Sequence, residues 1–522
     1  MTLASVEVVT PAWVADAVFY QIFPDRFASS PRVAKPGRME PWDAAPTRHG
    51  LKGGDLLGIV EGLDYLQDLG VTALYLNPVF TSAANHRYHT YDYLAVDPLL
   101  GGTPALRELV DACHARSIRV ILDGVFNHTG RGFWPFHHVL ENGGRSPYRD
   151  WFYFDQAALD AGHPVHAYPP VDNEGRLVAE HAADPAHRAG ELSLAALGYR
   201  AWWDLPALPK LNVANPAVRE YLLRVAEHWI AFGADGWRID VPDEIDDDAF
   251  WREFRRRVKA INPDAYLVAE VWSGRTDRLA GDQFDAAMNY PLAEGILGFA
   301  AAPHLDFQVI REQYDYAQRV RALDAATFAA AVERSLVAAD PAIVRSHLNL
   351  IGSHDLPRFL SMAGGDRTSL MLATLLQMTL PGAPCVYYGD EIGMLGRADP
   401  DCRRAFPWDQ SRWDLELRAF VRSAIAVRHA NPVLRSLGYR TLFGEGQTLA
   451  YLRNDAGAAI LVAINAGDVP CPLAIRAPEL QGRSVAPLLS TSSGVQVPGT
   501  DSDGGFAITV PPRAGVALST MS

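Results

Sequence analysis

The sequence predicts a (β/α)8 TIM barrel with an inserted domain after its third strand and a C-terminal antiparallel β-sandwich. Three observations predict this fold. Short apolar runs alternate with helical patterns, the number of such runs before residue 435 is eight, and short alternating runs follow after that point.

The predicted barrel strands are AVFYQIFP (17–24), GVTALYLNP (70–78), RVILDGVFNH (119–128), DGWRID (235–240), AYLVAEVW (265–272), FDAAMNYP (284–291), SHLNLIGSHD (346–355) and PCVYYGDE (384–391). Between the first three of them, GIVEGLDYLQDLG and TPALRELVDACHARS place apolar residues at i, i+3 and i+4. This period predicts helices on the outside of the barrel.

Two parts of the chain depart from this alternation. Residues 130–212 are rich in His, Pro, Gly and aromatic residues, so we predict an inserted domain B between barrel parts 1–129 and 213–435. Residues 436–522 form the predicted C-terminal β domain, because they contain short alternating runs separated by Gly, Ser and Pro. An extra helical stretch is expected from Pro303 to Pro341.

Composition excludes several classes of function. The net charge of −14 argues against nucleic acid or an anionic membrane as partner. The four cysteines lie far apart without a CxxC motif, which indicates reduced thiols rather than a zinc site or a disulfide framework. The first residues contain no signal-peptide pattern, and we therefore expect a cytoplasmic protein.

The stretch ADGWRIDVP places a cation and an anion inside an apolar strand. Arg238 and Asp240 are at i and i+2, so both side chains point to one face. One interpretation is a structural ion pair at a strand end. The other is a carboxylate that is held ionised for chemistry.

The carboxyl ends of the predicted strands favour the second interpretation. In a TIM barrel the active site lies at these ends. Polar residues with catalytic chemistry occur there in four strands, namely Asp123, Asn127, His128, Arg238, Asp240, Glu270, His354 and Asp355. If each of these residues had a separate structural role, they would not be expected to lie at the same end of every strand.

These residue types suit cleavage of a sugar linkage. Two carboxyl groups are needed, one ionised and one protonated. We expect Arg238 to hold Asp240 ionised as a nucleophile, and Glu270, which follows the apolar run AYLVA, to carry the proton for the leaving oxygen. Asp355 would then bind substrate hydroxyls and stabilise positive charge in the transition state.

Other classes of barrel enzyme fit less well. A Schiff-base aldolase needs a lysine in a strand, and none of the four lysines lies in one. A metal-dependent hydrolase needs histidines that converge from strands, whereas the pair in FHHV lies in the insertion. A non-catalytic sugar-binding relative would be expected to lack one of the three carboxylates.

The segments DGVFNH, GWRID, VAEVW and GSHD resemble the four signature segments of the α-amylase family, glycoside hydrolase family 13. The resemblance implies that Asp240 is the nucleophile, Glu270 the acid/base and Asp355 the transition-state stabiliser of a retaining enzyme. It also implies substrate contacts by Asp123, His128, Arg238, His354 and, within NHRYHTYDYLAVDP, His86, Tyr88 and the supporting carboxylate Asp92. LPKLN and GDEIGMLGRADPDCRRAFPWD are similar to the neopullulanase, cyclomaltodextrinase and maltogenic amylase subgroup.

Two departures from that subgroup affect the expectations. The barrel begins almost at once, without the N-terminal sandwich domain of the subgroup, so we expect a monomer or a dimer of another kind. The loop FASSPRVAKPG lacks the Asn and Asp ligands that bind calcium in relatives, although Gly54 and Asp55 are kept. We expect no cofactor and no catalytic metal, while a structural calcium near Asn127 is left open.

The expected substrates are oligosaccharides, namely maltooligosaccharides and cyclodextrins, cleaved at α-1,4 bonds in preference to starch and with transglycosylation as a side reaction. An exo-acting α-glucosidase or a transglucosylase is the alternative. Trp272 and Glu244 are predicted to meet the leaving-group side of the cleft, where the indole would stack on a glucose face. Alternative roles are a lid over the core for Trp272 and a helix cap for Glu244.

Overall fold

The computed structural model describes residues 8–178, 191–272, 277–481, 483–495 and 505–521. Its central feature is a parallel barrel whose strands, numbered β1 to β8, are Phe19–Ile22, Ala73–Leu76, Arg119–Gly124, Gly236–Ile239, Tyr266–Ala269, Ala286–Ala287, Leu348–Leu350 and Ala383–Tyr387. Each predicted strand is therefore present. A parallel bridge from Met288 to Leu348 joins the two edges and closes the barrel.

Helices cover the outside of this barrel. The main ones are Leu56–Glu61 and Leu63–Leu69 after β1, Gly102–His114 after β2, Pro216–Phe232 after domain B, Asp248–Ile261 after β4, Tyr290–Ala300, Ala325–Leu336 and Pro341–Ser346 after β6, Phe359–Met362 and Arg367–Thr379 after β7, and Leu415–Ala430 after β8. Several begin at an aspartate or asparagine whose side chain accepts a hydrogen bond from a backbone N–H in the first turn, as at Asn215, Asp247 and Asp414. The two helices predicted after β1 and β2 are confirmed, with a break at Gly62 in the first.

The segment predicted as domain B contains short helices rather than βα units. Its helices are Trp134–Asn142, Gln156–Asp160 and Glu191–Leu197, and residues 179–190 lie outside the described part of the chain. Isolated bridges connect His128 with Lys210 and Phe152 with Leu211, so this segment starts and ends beside the carboxyl end of β3. The exact domain boundaries stay a prediction.

The stretch from Pro303 to Pro341 is helical, as expected. It contains Phe307–Ile310, Tyr314–Ala317 and Ala325–Leu336. The side chain of Arg319 extends from this stretch to the loop after β5, where its guanidinium donates a hydrogen bond to the carbonyl oxygen of Trp272 (2.7 Å).

The C-terminal part is antiparallel. Five strands form one sheet in the order Tyr439–Glu445, Thr448–Asp455, Ala458–Asn465, Ala514–Met521 and Ser484–Ser490, and a second sheet pairs Cys471–Arg476 with Gly505–Val510. Apolar residues of both sheets share a core separate from that of the barrel. No helix in the described ranges is long and apolar enough to cross a membrane.

Candidate active site

The barrel brings most of the predicted site residues to one rim. Asp123 lies in β3, Arg238 lies in β4 with Asp240 just after it, and Glu270 and Asp355 follow β5 and β7. Because parallel strands end at the same edge, residues distant in sequence meet there. All five side chains are largely withdrawn from solvent.

Arg238 is the centre of this group. Its Nη1 donates to Asp123 Oδ1 (2.7 Å) and to Asp240 Oδ1 (3.0 Å), and its Nη2 lies 2.8 Å from Glu270 Oε2. The guanidinium is fully buried. One cation thus contacts three carboxylates from three strands. A structural ion pair at a strand end needs only one carboxylate for its cation, so this arrangement favours the catalytic interpretation.

Asp240 uses only one of its two oxygens. Oδ1 contacts Arg238, whereas the buried Oδ2 has no hydrogen-bond partner among the described residues. Burial raises the pKa of Asp240 well above its usual range, and the charge of Arg238 opposes that rise. The charge of Arg238 acts in the expected direction, but Asp123 and Glu270 share the same guanidinium, so the ionised state of Asp240 stays a prediction.

Glu270 is oriented by two further donors. The backbone N–H of Val241 donates to Oε2 (3.1 Å) and the indole N–H of Trp272 donates to Oε1 (3.1 Å). Val241 has φ +36° and ψ 55°, a region that a β-branched residue rarely adopts. Strained backbone of this kind is concentrated at functional sites, and here it accompanies an N–H that points at the carboxylate.

Trp272 occupies a different environment from the predicted open platform. One face of its indole stacks on Tyr290, with centroids 3.8 Å apart and planes inclined by 13°. The indole N–H is used by Glu270, and the main chain is held by Arg319. These contacts favour a role in orienting Glu270 over the predicted stacking on glucose.

Asp123 lies beneath the substrate side of the site. Its Oδ1 accepts from Arg238, and its Oδ2 accepts from the hydroxyls of Tyr75 and Tyr88, both at 2.9 Å. Burial raises its pKa. With its oxygens engaged and the residue 1% exposed, the predicted substrate contact by Asp123 is not supported; it holds Arg238 and Tyr88 in place instead.

A hydrogen-bonded chain orients His354. Gln21 Nε2 lies 2.9 Å from His354 Nδ1, and His354 Nε2 lies 2.6 Å from the hydroxyl of Tyr88. Burial lowers the pKa of His354 well below its usual range, so the ring is neutral and its Nε2 carries the proton if Nδ1 accepts from Gln21. The rings of Tyr88 and His354 are parallel, with an interplanar angle of 3°.

Asp355 lies between His354 and Arg403. Its Oδ1 is 3.3 Å from His354 Nε2 and 3.6 Å from Arg403 Nη2. Burial raises the pKa of Asp355 to about 7, and the negative charge of Glu270 adds to the effect. Arg403 also donates to the carbonyl oxygen of His354 (2.8 Å) and pairs with Asp399 (3.0 Å).

His86 and His128 are also neutral. Burial lowers the pKa of His86 well below its usual range and that of His128 to about 3. His86 Nδ1 accepts from the backbone N–H of Tyr88 (3.1 Å), which holds these two predicted substrate contacts together. The ring of His128 stacks on Trp202, at 4.8 Å and 7°.

Two predicted residues lie apart from this arrangement. Asp92 is exposed on the hairpin strand Thr90–Val96, where its Oδ1 accepts from the N–H of Leu94 (2.8 Å), so the structure does not bring it to the site. Glu244 meets domain B, since Lys210 donates to its carbonyl oxygen (2.9 Å) and lies 3.3 Å from its Oε2. Asp247, and not Glu244, caps the helix that follows.

The loop after β1 does not suit calcium. Asp55 Oδ1 accepts from Gly58 N–H (2.7 Å), and Oδ2 accepts from Ser30 N–H (2.9 Å) and from the ammonium of Lys35 (3.0 Å). Calcium needs six to eight oxygens, and here an internal cation already takes the carboxylate. Across the described ranges, no group of three or more His, Cys, Asp or Glu side chains could hold a metal ion.

Sequence reasoning missed several residues of the site. Arg403, Tyr290 and Gln21 contact or flank the predicted residues. Tyr290 and Gln21 lie near the ends of β6 and β1, so the strand-end argument could have found them. Arg403 lies in a short 3-10 turn far beyond β8, and a turn of this kind gives no periodic signal.

Comparison with known proteins agrees with this geometry. A family model for the alpha amylase catalytic domain matches residues 21–432. The chain belongs to the α-amylase family. This family member is a glycoside hydrolase, as its fold and its curated relatives both indicate.

Three relatives illustrate the match. The family member is 40% identical to a cyclomaltodextrinase of a Bacillus species over 459 residues, 87% of this chain and 73% of the relative. It is 38% identical to neopullulanase 2 of Thermoactinomyces vulgaris over 513 residues, 98% of this chain and 78% of the relative. The crystal structure of a debranching enzyme from Nostoc punctiforme superposes with a TM-score of 0.84 at 41% identity, covering 99% of this chain and 100% of that one.

Proposed function

We propose that this glycoside hydrolase cleaves α-1,4-glucosidic bonds of maltooligosaccharides and cyclodextrins by double displacement with retention. The observation that carries the proposal is the shared guanidinium. Asp240 and Glu270 contact the two terminal nitrogens of Arg238 at 3.0 and 2.8 Å, so their carboxyl groups lie close together. Retaining glycosidases need a separation of only about 5 Å, whereas inverting ones need room for a water.

In the first step, Asp240 attacks the anomeric carbon through Oδ2, the oxygen without a partner in the described structure. The bond to the glycosidic oxygen breaks, and that oxygen takes a proton from Glu270. In the second step a water gives its proton to Glu270 while its oxygen displaces Asp240. Both carboxyl groups return to their first state.

The electrostatics of the site support one stored proton. Asp123, Asp240 and Glu270 contact Arg238, and Asp355 lies beside Arg403. Burial raises the pKa of Asp123, of Asp240 and of Asp355, the last to about 7, so these three aspartates compete for a proton near neutral pH as a coupled set. We propose that substrate binding leaves this proton on Glu270, while Arg238 stabilises the negative charge of Asp240.

The substrate class is supported by the relatives named cyclomaltodextrinase and neopullulanase. A second candidate is cleavage of α-1,6 bonds, which the likeness to the Nostoc punctiforme debranching enzyme over its full length favours. One site can serve both, because the two bonds differ in the leaving oxygen and not in the anomeric carbon that Asp240 attacks.

The test is product analysis by proton NMR on maltotriose, β-cyclodextrin, pullulan, panose and soluble starch. We expect the α-anomer to form first and cyclodextrin and maltotriose to be cleaved faster than starch. A β-anomer formed first would contradict retention. Glucose and maltose as the products from panose would show cleavage of its α-1,6 bond and favour the second candidate, whereas isomaltose and glucose would show cleavage of its α-1,4 bond.

A further inference from the structure

We propose that Trp203, with Trp202 behind it, forms a binding platform for glucosyl residues of the substrate beyond the scissile bond. This inference rests on the proposed function and names residues to which neither the sequence argument nor the comparisons assign a role.

The first observation is a continuous series of rings that leads out of the site. His128 at the end of β3 stacks on Trp202 at 4.8 Å and 7°, and Trp202 contacts Trp203 at 5.1 Å and 30°. His128 is fully buried, whereas Trp203 is 48% exposed. The series therefore runs from the buried His128, just beyond β3, to a ring of domain B that solvent reaches.

The second observation is backbone strain at the outer ring. Trp203 has φ +53° and ψ 30°, and Asp204 also has φ +53°. Two consecutive residues with a Cβ in the left-handed region are uncommon and cost free energy. Burial of the Trp203 side chain offsets little of this free energy, because about half of that side chain remains exposed to water.

Contacts on both sides of the turn maintain the strain. Asp204 is buried, and its Oδ1 accepts from the N–H of Ser193 (2.8 Å). Trp202 N–H donates to the carbonyl oxygen of Leu208 (2.9 Å), and Tyr199 donates to the carbonyl oxygen of Pro206 (2.7 Å). The surroundings thus hold a strained turn that presents an aromatic side chain, an arrangement typical of ligand contacts.

The third observation is a pair of polar atoms without partners. The indole N–H of Trp202 and Nε2 of the neutral His128 are buried and unpaired within the described ranges. Nδ1 of His128 lies 3.3 Å from Asn127 Nδ2, and if it accepts from that amide, Nε2 carries the proton and both unpaired atoms are donors. A sugar hydroxyl oxygen has two lone pairs that can accept from such donors, and the flat apolar face of a sugar suits an indole. A charged or purely apolar ligand would match only part of this set.

A comparison inside domain B supports the choice of Trp203. Trp134 is more exposed, at 61%, but it lies in the regular helix Trp134–Asn142 and its ring meets His138 edge-on at the surface. Its backbone is helical, and the rings that follow it, His138, Tyr148 and Trp151, meet edge-on and lead into the apolar core rather than stacking on a predicted substrate contact. Trp134 therefore provides a matched control for removal of an exposed indole.

The experiment compares Trp203→Ala, Trp203→Phe and Trp134→Ala on maltoheptaose and on a small aryl α-glucoside. We expect Trp203→Ala to lower kcat/KM for maltoheptaose about fivefold to tenfold while the aryl glucoside is turned over as before. Trp203→Phe should recover most of the loss, and Trp134→Ala should leave both substrates unchanged. Equal losses on both substrates, or no loss on maltoheptaose, would overturn the proposal.

A binding measurement keeps this result separate from the proposed function. Titration of maltoheptaose into Asp240→Asn protein, with and without Trp203→Ala, reports affinity without turnover. We expect the double variant to bind about fivefold to tenfold more weakly. Equal affinity would overturn the platform even if the wild type cleaves α-glucans, whereas a wild type that cleaves none would refute the proposed function alone.

Discussion

Among the buried aspartates that pair with cations are Asp55, in the loop after β1, and Asp240, just after β4. Asp55 meets the ammonium of Lys35 at 3.0 Å, and Asp240 meets the guanidinium of Arg238 at the same distance. The two pairs differ in the number of carboxylate oxygens that have a hydrogen-bond partner. Both oxygens of Asp55 accept hydrogen bonds, whereas Oδ2 of Asp240 has no partner in the described structure.

The difference separates a structural carboxylate from a chemical one. The bonds of Asp55 connect Ser30, Lys35 and Gly58, and Lys35 also donates to the carbonyl oxygen of Leu99 (2.7 Å). This closed set stabilises the loop. A buried oxygen without a partner costs free energy, as at Asp390 Oδ2 beside Arg358, but of Asp55 and Asp240 only the latter combines such an oxygen with a place at the catalytic rim, where a reacting atom can supply the partner.

The sharpest test of this comparison is Asp240→Asn. We expect turnover of maltotriose to fall roughly ten-thousandfold, because an amide cannot form the covalent intermediate. The thermal midpoint should stay the same or rise, since a buried charge is removed. Asp92→Asn is the control and should keep full activity, because Asp92 lies at the surface. If the thermal midpoint falls together with activity, Asp240 has a structural role like that of Asp55.

Lys35→Met tests the structural member of the pair. Removing the ammonium leaves the fully buried Asp55 without its cation, and we expect the free energy of unfolding in urea to fall by about 3 kcal/mol. Activity per folded molecule should be retained, and Arg38→Met, an exposed residue of the same loop, should change little. Added calcium should not restore stability; full restoration by calcium would show that the loop can form a metal site.

Trp272→Phe measures how much the orientation of Glu270 contributes to turnover. Phenylalanine keeps an aromatic ring against Tyr290 but removes the N–H that donates to Glu270 Oε1. Glu270 is protonated in the first proposed step, and a hydrogen bond between neutral groups is worth about 0.5 to 1.5 kcal/mol, so we expect kcat to fall roughly twofold to tenfold with KM nearly unchanged. If KM for long oligosaccharides rises instead, the indole contacts sugar as the sequence predicted.

The smallest expected effect is the pH dependence of stability at Asp355. Burial raises the pKa of Asp355 to about 7, so the folded protein keeps a proton that the unfolded chain releases above its ordinary pKa. The stability contributed by this group is therefore complete below about pH 4 and is lost as the pH rises toward 7.

Asparagine cannot ionise, so Asp355→Asn should raise the thermal midpoint by roughly 2 to 4 °C at pH 8 and leave it unchanged at pH 4. Calorimetry at the two pH values measures the difference between the variants. A gain of equal size at both values would assign the effect to packing rather than to ionisation.

The sequence by itself determined the barrel and the rim. Strand and helix periods are local properties, and the strand-end rule then placed Asp123, Arg238, Asp240, Glu270 and Asp355 together without any coordinates. The same local rule also explains one failure. In the strand Thr90–Val96 alternate side chains face opposite sides, so Tyr93 is buried and its neighbour Asp92 is exposed.

Only the tertiary structure decided how the charged groups are shared. Arg238 contacts Asp123, Asp240 and Glu270, which come from three strands. Burial raises the pKa of Asp240, and the negative charges of Glu270 and Asp123 add to that rise although a cation lies beside it. Trp272 pairs with Tyr290, and Lys35 reaches Asp55 and Leu99. A sequence lists the donors and acceptors, but competition among groups from distant elements assigns the partners, and that competition takes place only in the folded chain.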